Sequence, residues 1–302
     1  MGTLNEASAA KGMWAPSMAN SLRRFYRSGR WIEWFIRLLL ALGSFAVFYP
    51  FVWLIFSSFK TGADIVRIPV TLLPEKWTLS AYQMVMDPNR ANLPRAYWNS
   101  TLVTVGTVIT ILFTSSLGGF VFARLQFPGR HVLFYLILST TMVPFLTLLI
   151  PLYIVMKQLR LLNTLWGLWV PSVFSSFGIF LCRQFIYGIP GELYDAAKID
   201  GSGDFAIYRN IILPLTRPVL SALAIFTFLG TFNAYLWPLV VLNDENKLTL
   251  PLIISRMANR FGGTDYQAVM AGSVLVSIPP LVVFLIFQRN FVRGIALTGL
   301  KG

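Results

Sequence analysis

Six long stretches without a single ionisable side chain dominate this sequence. Each has 22 residues or more, whereas an α-helix needs about 20 residues to cross the hydrocarbon core of a bilayer. The stretches contain no Asp, Glu, Lys, Arg or His and cover residues 38–59, 96–123, 132–156, 161–182, 218–243 and 266–288. We therefore predict an all-α integral membrane protein with six transmembrane helices.

The composition excludes other classes of protein. Charged residues make up 12% of the chain and hydrophobic residues 56%, whereas a soluble domain carries about 25% charged residues. The only cysteine, Cys182, cannot form a disulfide within the chain. The net charge of +13 is typical of membrane proteins with Lys and Arg in their cytoplasmic segments, so no nucleic-acid partner is predicted.

Basic residues before the first stretch predict the orientation of the chain. They are Arg23, Arg24, Arg27, Arg30 and Arg37. Positive segments stay in the cytoplasm, and six spans then place the C-terminus there as well. A retained helix is favoured over a cleaved signal peptide, because the apolar run exceeds the roughly 7–15 residues of such a peptide and no A-x-A site follows.

These stretches divide the chain into five predicted regions. In order, they are a cytoplasmic basic tail at 1–37, the first transmembrane helix at 38–59, an extracytoplasmic loop at 60–95, a five-helix core at 96–288 and a cytoplasmic tail at 289–302. Within the core, residues 183–217 form a long, patterned internal segment, and residues 244–265 form a polar external one.

The chain lacks the groups that would let it use energy itself. Ion-coupled transporters, pumps and intramembrane enzymes need buried ionisable residues, and the six stretches contain none. With His131 as the only histidine and no GxxxxGK[ST] loop, no catalytic residue, metal site or bound cofactor is predicted. Uphill transport would therefore need energy from another protein chain.

The internal segment has the most informative pattern. Pro190 precedes a short predicted helix in which Glu192 and Asp195 lie near the N-terminus, where negative charge is favourable. One face of this helix carries four residues at helical spacing, Leu193, Ala196, Ala197 and Asp200. Gly201-Ser202-Gly203 ends it. A second helix follows, with one side carrying Phe205, Tyr208 and Ile212, and Pro214 and Pro218 mark the entry into the fifth span. This pattern alone is also that of a solvated amphipathic loop.

The same segment, residues 190–218, resembles the EAA loop of type I ABC importer permeases, named for its Glu-Ala-Ala triplet. The matching residues are Ala196, Ala197, Asp200, Gly201, Leu213, Pro214 and Pro218. Three positions differ from the usual pattern: Asp195 replaces the glutamate, Ser202 an alanine and Tyr208 a phenylalanine. Further segments resemble maltose-transporter-type carbohydrate permeases, among them residues 120–130, 150–153, 232–239 and the terminal Gly-Leu-Lys-Gly.

The resemblance implies a function and a set of partners. It implies one of two homologous permease subunits of a bacterial cell-membrane importer for a carbohydrate or related polyol. A dimeric ABC ATPase would bind ATP and Mg and dock on the EAA loop, with Glu192 among the contacts. An extracytoplasmic binding protein would deliver the substrate and contact loop 244–265, through Arg256, Asn259, Arg260, Gly262 and Gly263.

Asn233, Tyr235 and Trp237 are candidate pathway residues, because sugar sites combine aromatic stacking with amide and hydroxyl hydrogen bonds. Bundle packing and interfacial anchoring explain them equally well. An ion-coupled secondary transporter is the alternative function, but it would need internal inverted repeats and intramembrane coupling residues. A membrane enzyme or scaffold would need chemistry that the sequence does not offer.

Overall fold

The computed structural model describes residues 15–258 and 265–299, and describes side chains over 32–258 and 265–287. All regular elements in these ranges are helices. The chain divides into two compact units, residues 1–56 and 57–302.

The first unit consists of one helix in its described part, α1 (Ala15–Ser57). Its segment Ile32–Ser57 is long and apolar enough to cross a membrane. Every side chain from residue 38 to residue 52 is exposed and none of them is charged, so this part of the helix is apolar around its whole circumference. Such a helix satisfies its own backbone hydrogen bonds and is suited to lipid.

The second unit contains fourteen further helices in its described residues. They are α2 (Gly62–Ile65), α3 (Ser80–Met86), α4 (Leu93–Arg124), α5 (Arg130–Ser139), α6 (Phe145–Gln158), α7 (Trp166–Trp169), α8 (Ser176–Tyr187), α9 (Gly191–Ile199), α10 (Asp204–Ile207), α11 (Leu213–Leu215), α12 (Arg217–Phe232), α13 (Leu236–Val241), α14 (Leu250–Ala258) and α15 (Tyr266–Gly299). Short 3₁₀ turns lie at Thr140–Met142, Val170–Ser172 and Glu245–Lys247, and a π turn at Tyr208–Ile212.

The predicted all-helical membrane fold is confirmed, with four to six candidate spans. Four segments are long and apolar enough on their own: Ile32–Ser57, Leu93–Arg124, Trp166–Tyr187 and Tyr266–Phe287. Two more candidates are pairs of helices bent by 103° and 75°, namely Arg130–Met142 with Phe145–Gln158, and Asp204–Leu215 with Arg217–Phe232.

The stretch predicted at 132–156 is therefore not one straight helix. A residue before proline is disfavoured in the α region, and Val143, before Pro144, is extended with φ −81° and ψ 118°. Just upstream, the hydroxyls of Ser139, Thr140 and Thr141 each donate to the carbonyl three residues back. The helix tightens into a 3₁₀ turn there and ends.

Two other stretches also differ in extent from their predictions. The helix within 218–243 ends at Phe232, and α13 begins only at Leu236. The helical segment within 161–182 continues to Tyr187, past Arg183, where the charge-free run ends. The Arg183 guanidinium lies over the rings of Phe134 and Tyr187, so a positive charge is accommodated at that helix end.

Helix α4 packs closely against α8 because small residues line the contact. A Cβ atom added at Gly119 would lie 2.5 Å from Cβ of Cys182, and one at Gly178 would lie 2.2 Å from Oγ of Ser115. Small residues let membrane helices approach in this way. Helix α12 also packs on α4, and these three helices form the centre of the second unit.

The predicted external loop 60–95 is folded rather than extended. Lys60 is 1% exposed, and its ammonium donates to Oγ1 of Thr71 at 3.1 Å. Gln267, near the start of α15, donates through its side-chain amide to the Lys60 carbonyl at 2.8 Å. The first of these hydrogen bonds closes the segment on itself, and the second ties it to the last long helix.

Candidate functional site

The 190–218 segment forms two short helices joined through a glycine turn. Helix α9 ends at Ile199 and α10 begins at Asp204. Between them Gly201 has φ +79°, a backbone conformation that residues with a Cβ atom rarely adopt. The predicted turn at Gly201 is confirmed.

Backbone hydrogen bonds fix the direction in which the chain leaves α9. The N–H of Gly201 donates to the Lys198 carbonyl at 3.0 Å, and the N–H of Ser202 donates to the Ala197 carbonyl at 2.9 Å. This pair of bonds is the Schellman motif, which satisfies the last carbonyls of a helix when a left-handed residue follows it. The turn thus requires the left-handed backbone conformation of Gly201 and makes no use of a side chain there.

One side of the segment packs into the second unit. The buried cluster consists of Phe120, Ala123, Ile186, Ile189, Ala197, Ile207, Tyr208 and Ile212. The hydroxyl of Tyr208, the residue that replaces the usual phenylalanine, lies 2.8 Å from Oγ of Ser116 on α4. The segment is therefore anchored against the ends of α4 and α8, unlike a loosely solvated loop.

Arg124 at the end of α4 strengthens this anchor. Its guanidinium donates to the carbonyl of Ile186 at 2.9 Å and to that of Ile189. These carbonyls lie at the end of α8 and in the turn before α9, where acceptors lack partners within the helix. Arg124 thereby joins α4 to the start of the 190–218 segment, a role that sequence spacing does not indicate.

The outer side of the segment exposes apolar side chains together with charged side chains of both signs. Leu193, Ile199 and Phe205 are 45%, 86% and 64% exposed. The exposed members of the predicted site are Glu192, Asp195, Ala196, Asp200, Gly201, Pro214 and Pro218. Two predicted groupings are wrong, because Ala197 turns inward from the face of Ala196, and Phe205 turns outward from Tyr208 and Ile212.

A polar link that the sequence analysis missed joins α9 to α10. Oδ1 of Asp204 accepts a hydrogen bond from the Tyr194 hydroxyl at 2.6 Å and lies 2.7 Å from Nζ of Lys198. The Lys198 and Tyr194 hydrogen bonds lower the pKa of Asp204, and the hydrogen bond to Asp204 raises the pKa of Lys198. Burial, followed by the Asp204 contact, raises the pKa of Tyr194. The i, i+4 spacing of Tyr194 and Lys198 is the one sequence signal of this link.

The two predicted prolines lie where the segment bends into α12. Pro214 is in the three-residue helix α11, which begins at Leu213, and Pro218 is in the first turn of α12. Proline suits a first turn because that turn leaves its N–H groups unpaired. Between them buried Thr216 donates to the Leu213 carbonyl at 2.9 Å. The structure thus has a bend between these two prolines, and α12 begins there at Arg217.

A cavity of about 880 Å³ lies among α4, α6, α8, α12 and α13. Tyr235 and Trp237 line it, whereas Asn233 does not. Trp237 is 8% exposed and donates through Nε1 to the Gly167 carbonyl at 3.1 Å. Tyr235 and Trp237 therefore lie at the cavity, and the hydrogen bond to Gly167 fixes the Trp237 ring; Asn233 lies elsewhere.

The candidate contact residues on loop 244–265 are described only in part. Arg256 is half-buried in the last turn of α14. Asn259, Arg260, Gly262 and Gly263 lie outside the described residues. Upstream, the Asn163 side chain accepts from the N–H groups of Asn243 and Asp244 at 3.1 and 2.9 Å, which fixes where this loop begins.

A family model matches residues 111–297 of this chain. Its description is "Binding-protein-dependent transport system inner membrane component". The match spans more than half of the chain and includes the whole 190–218 segment.

Characterised relatives are similar over nearly the full length. Arabinooligosaccharides transport system permease protein AraQ of Halalkalibacterium halodurans is 34% identical over 90% of this chain and 97% of its own. Lactose transport system permease protein LacG of Rhizobium radiobacter is 36% identical over 85% of this chain and 92% of its own.

A solved structure has the same fold. It is the crystal structure of a bacterial ABC transporter involved in the import of the acidic polysaccharide alginate. One of its chains is 25% identical to this chain and matches it with a TM-score of 0.77, over 88% of this chain and 98% of its own.

Proposed function

The chain belongs to the family of binding-protein-dependent transport system inner membrane components, and on that premise we propose that it is a permease subunit of an ATP-driven carbohydrate importer. The observation that carries the carbohydrate class is the near full-length similarity, at 34% and 36% identity, to permeases of arabinooligosaccharide and lactose transport systems. The protein is a membrane permease, and in the proposed complex it forms half of the translocation pathway.

The proposed energy source is a dimeric ATPase that docks on the 190–218 segment. The segment is anchored on one side by the buried cluster and Arg124 and exposes apolar and charged side chains on the other. A firmly anchored surface can pass a movement of its partner to the helices behind it, which supports this role. ATP and Mg would bind on the ATPase, and this chain would bind neither.

The other proposed partners follow from the same premise. A second, homologous permease completes the pathway, and an extracytoplasmic binding protein delivers the carbohydrate to loop 244–265. In this arrangement the N- and C-termini lie in the cytoplasm together with the 190–218 segment. The arginines between residues 23 and 37 support that orientation through the positive-inside rule.

Reconstitution tests the proposal. We expect the purified chain alone to hydrolyse no ATP, and the complex with the second permease, ATPase and binding protein to show carbohydrate-stimulated hydrolysis. Uptake of radiolabelled lactose, an arabinooligosaccharide and an alginate oligosaccharide should be compared in cells with and without the gene. Two results would contradict the proposal. One is ATP hydrolysis by this chain alone; the other is uptake of each of the three sugars at the same rate in cells with and without the gene.

A further inference from the structure

We propose that Asn99 and Ser100, near the start of α4, are positioning residues that hold the 243–250 segment in the conformation to which the binding protein docks. This segment follows α13 and ends at Leu250, the first residue of α14, so it opens the loop that the proposed function assigns to the binding protein. This role rests on that proposed function and adds the residues that prepare the docking surface.

Asn99 donates hydrogen bonds to two carbonyls of the segment. Its side chain is 2% exposed, and its Nδ2 donates to the Asn246 carbonyl at 2.9 Å and to the Leu248 carbonyl at 3.0 Å. A side-chain amide has two N–H groups on one nitrogen, and both are used on the same short stretch of chain. Because a buried carbonyl without a donor is costly, the segment is held where Asn99 can reach it.

Ser100 adds a hydrogen bond at the end of the segment. The N–H of Leu250 donates to Oγ of Ser100 at 2.8 Å, and Leu250 and Ser100 are 0% and 3% exposed. The first N–H groups of a helix have no acceptor within that helix. Ser100 therefore acts on α14 as a capping side chain would, although it belongs to another helix.

The segment's own contacts define its shape but not its position. Oδ1 of Asp244 accepts from the N–H of Asn246 at 2.9 Å, and Oδ2 of Asp244 lies 3.2 Å from Nζ of Lys247 in a partly exposed ion pair. These contacts lie within one turn and would survive if the whole turn moved. The bonds to Asn99 and Ser100 instead join residues 147 to 150 positions apart in the sequence, so they attach the turn to α4.

Helix α4 is a suitable frame for this attachment because it also holds the 190–218 segment. It is one continuous helix of 32 residues, and Ser100 lies about 36 Å from Arg124 along its axis, at 1.5 Å per residue. At that far end Arg124 donates to the Ile186 carbonyl at 2.9 Å. The position of the 243–250 segment is thus set on the same helix that anchors the proposed ATPase surface.

Loosening the segment should weaken docking without lowering the maximal rate. If the binding protein docks only to the held conformation, its apparent affinity falls with the fraction of molecules that retain this conformation. Saturating binding protein restores the conformation and with it the maximal rate of ATP hydrolysis. A general loss of packing would lower the maximal rate instead, so the two explanations predict different results.

Hydrogen exchange in the purified full-length chain measures the attachment directly. We expect the Leu250 N–H to exchange about two- to tenfold faster in Ser100→Ala, the range set by one lost hydrogen bond, and faster still when Asn99→Leu is added. Ser100→Thr retains the acceptor oxygen and should exchange as the wild type does. Thr101→Ala is the matched control, because Thr101 is the next residue of α4 and its side chain is exposed.

Titration of the binding protein into the reconstituted importer then measures docking, with the sugar that the wild-type importer takes up. In the double variant Asn99→Leu with Ser100→Ala, we expect the binding-protein concentration that half-stimulates ATP hydrolysis to rise at least about threefold, with the maximal rate retained. Thr101→Ala should leave both quantities unchanged.

Three results would overturn the positioning role and leave the importer proposal standing. They are unchanged hydrogen exchange in the double variant, an unchanged half-stimulating concentration, and a fall in the maximal rate alone. If the binding protein does not stimulate the wild-type complex with any of the three sugars, the importer proposal itself fails, and the positioning role with it.

Discussion

Gly201 is the residue at which the 190–218 segment depends most directly on backbone geometry. A Cβ atom there meets nothing within 4 Å, so only the left-handed φ opposes substitution, at a cost of about 1–2 kcal/mol. We expect Gly201→Val to insert into the membrane normally but to lose sugar uptake or co-purification of the ATPase, because the turn after α9 must change.

Gly203 provides a matched control for this prediction. A Cβ atom there also meets nothing within 4 Å, but its φ is −71°, which any residue adopts. Gly203→Val therefore adds the same side chain two residues away without the left-handed strain. A similar loss of uptake in both variants would mean that the added bulk at the docking surface causes it. Normal uptake in Gly201→Val would mean that the left-handed turn is not needed for coupling.

Asp195 tests the charge of the proposed docking surface. Its side chain is exposed on α9 and stands where the resembling permeases carry glutamate. We expect Asp195→Lys to lower uptake and ATPase co-purification, because it reverses the charge offered to a basic partner, and Asp195→Glu to retain both. Full activity of the lysine variant would show that this charge does not contribute to docking.

At the scale of elements, the link between α9 and α10 makes a separate prediction. Asp204→Ala removes both the Lys198 and the Tyr194 contact, so the two helices should hold their relative orientation less firmly. Since exposed ion pairs contribute little, we expect a loss of up to about fivefold in sugar transported per ATP, with ATPase co-purification retained. Asp204→Asn removes the same negative charge but keeps a side-chain oxygen that can accept from Tyr194 and Lys198, so it is the control; an equal loss there would assign the effect to the charge of the surface.

The pKa shifts define the pH range of this link. Asp204 has a lowered pKa, so its contribution is complete above the ordinary value of 3.8 and is lost as the pH falls through the lowered pKa. Lys198 has a raised pKa, so its contribution is complete below the ordinary value of 10.5 and is lost as the pH rises through the raised pKa. Transport per ATP should therefore not vary through this pair between about pH 5 and 9.

The elements could be predicted from the sequence to different degrees. Absence of charge located the spans, because lipid excludes ionisable groups, and the glycine and proline positions located the turn at Gly201 and the entry into α12. The 103° bend at Pro144 depends on local backbone preference, which hydropathy ignores. The continuation of α8 past Arg183 depends on the aromatic rings beside its guanidinium, which come from another helix and from the next turn.

In the candidate site, too, residues set by local sequence could be predicted and residues set by contacts between elements could not. The exposed residues Glu192, Asp195, Asp200 and Gly201 were found through local pattern and resemblance. Arg124 and Asp204 were not found, because each acts through contacts between elements.

At the scale of the whole molecule, the orientation in the membrane is the prediction that joins the proposed partners. The ATPase must meet the 190–218 segment in the cytoplasm, and the binding protein must meet loop 244–265 on the other side. Arg23, Arg24, Arg27 and Arg30 favour a cytoplasmic N-terminus. We expect Ser21→Cys to resist a membrane-impermeant thiol reagent in intact cells, whereas Lys76→Cys, on the exposed part of the 60–95 loop, should react.

The native thiol sets the background for this experiment. Cys182 is 0% exposed and packs against Gly119 in the contact between α4 and α8, so Cys182→Ala removes it without adding volume or a buried hydroxyl. Both single-cysteine proteins should label fully after detergent solubilisation, which controls for access. Labelling at residue 21 but not at residue 76 in intact cells would invert the topology. It would then place the 190–218 segment outside the cell, where no ATP is available to a docked ATPase, and the proposed coupling could not operate.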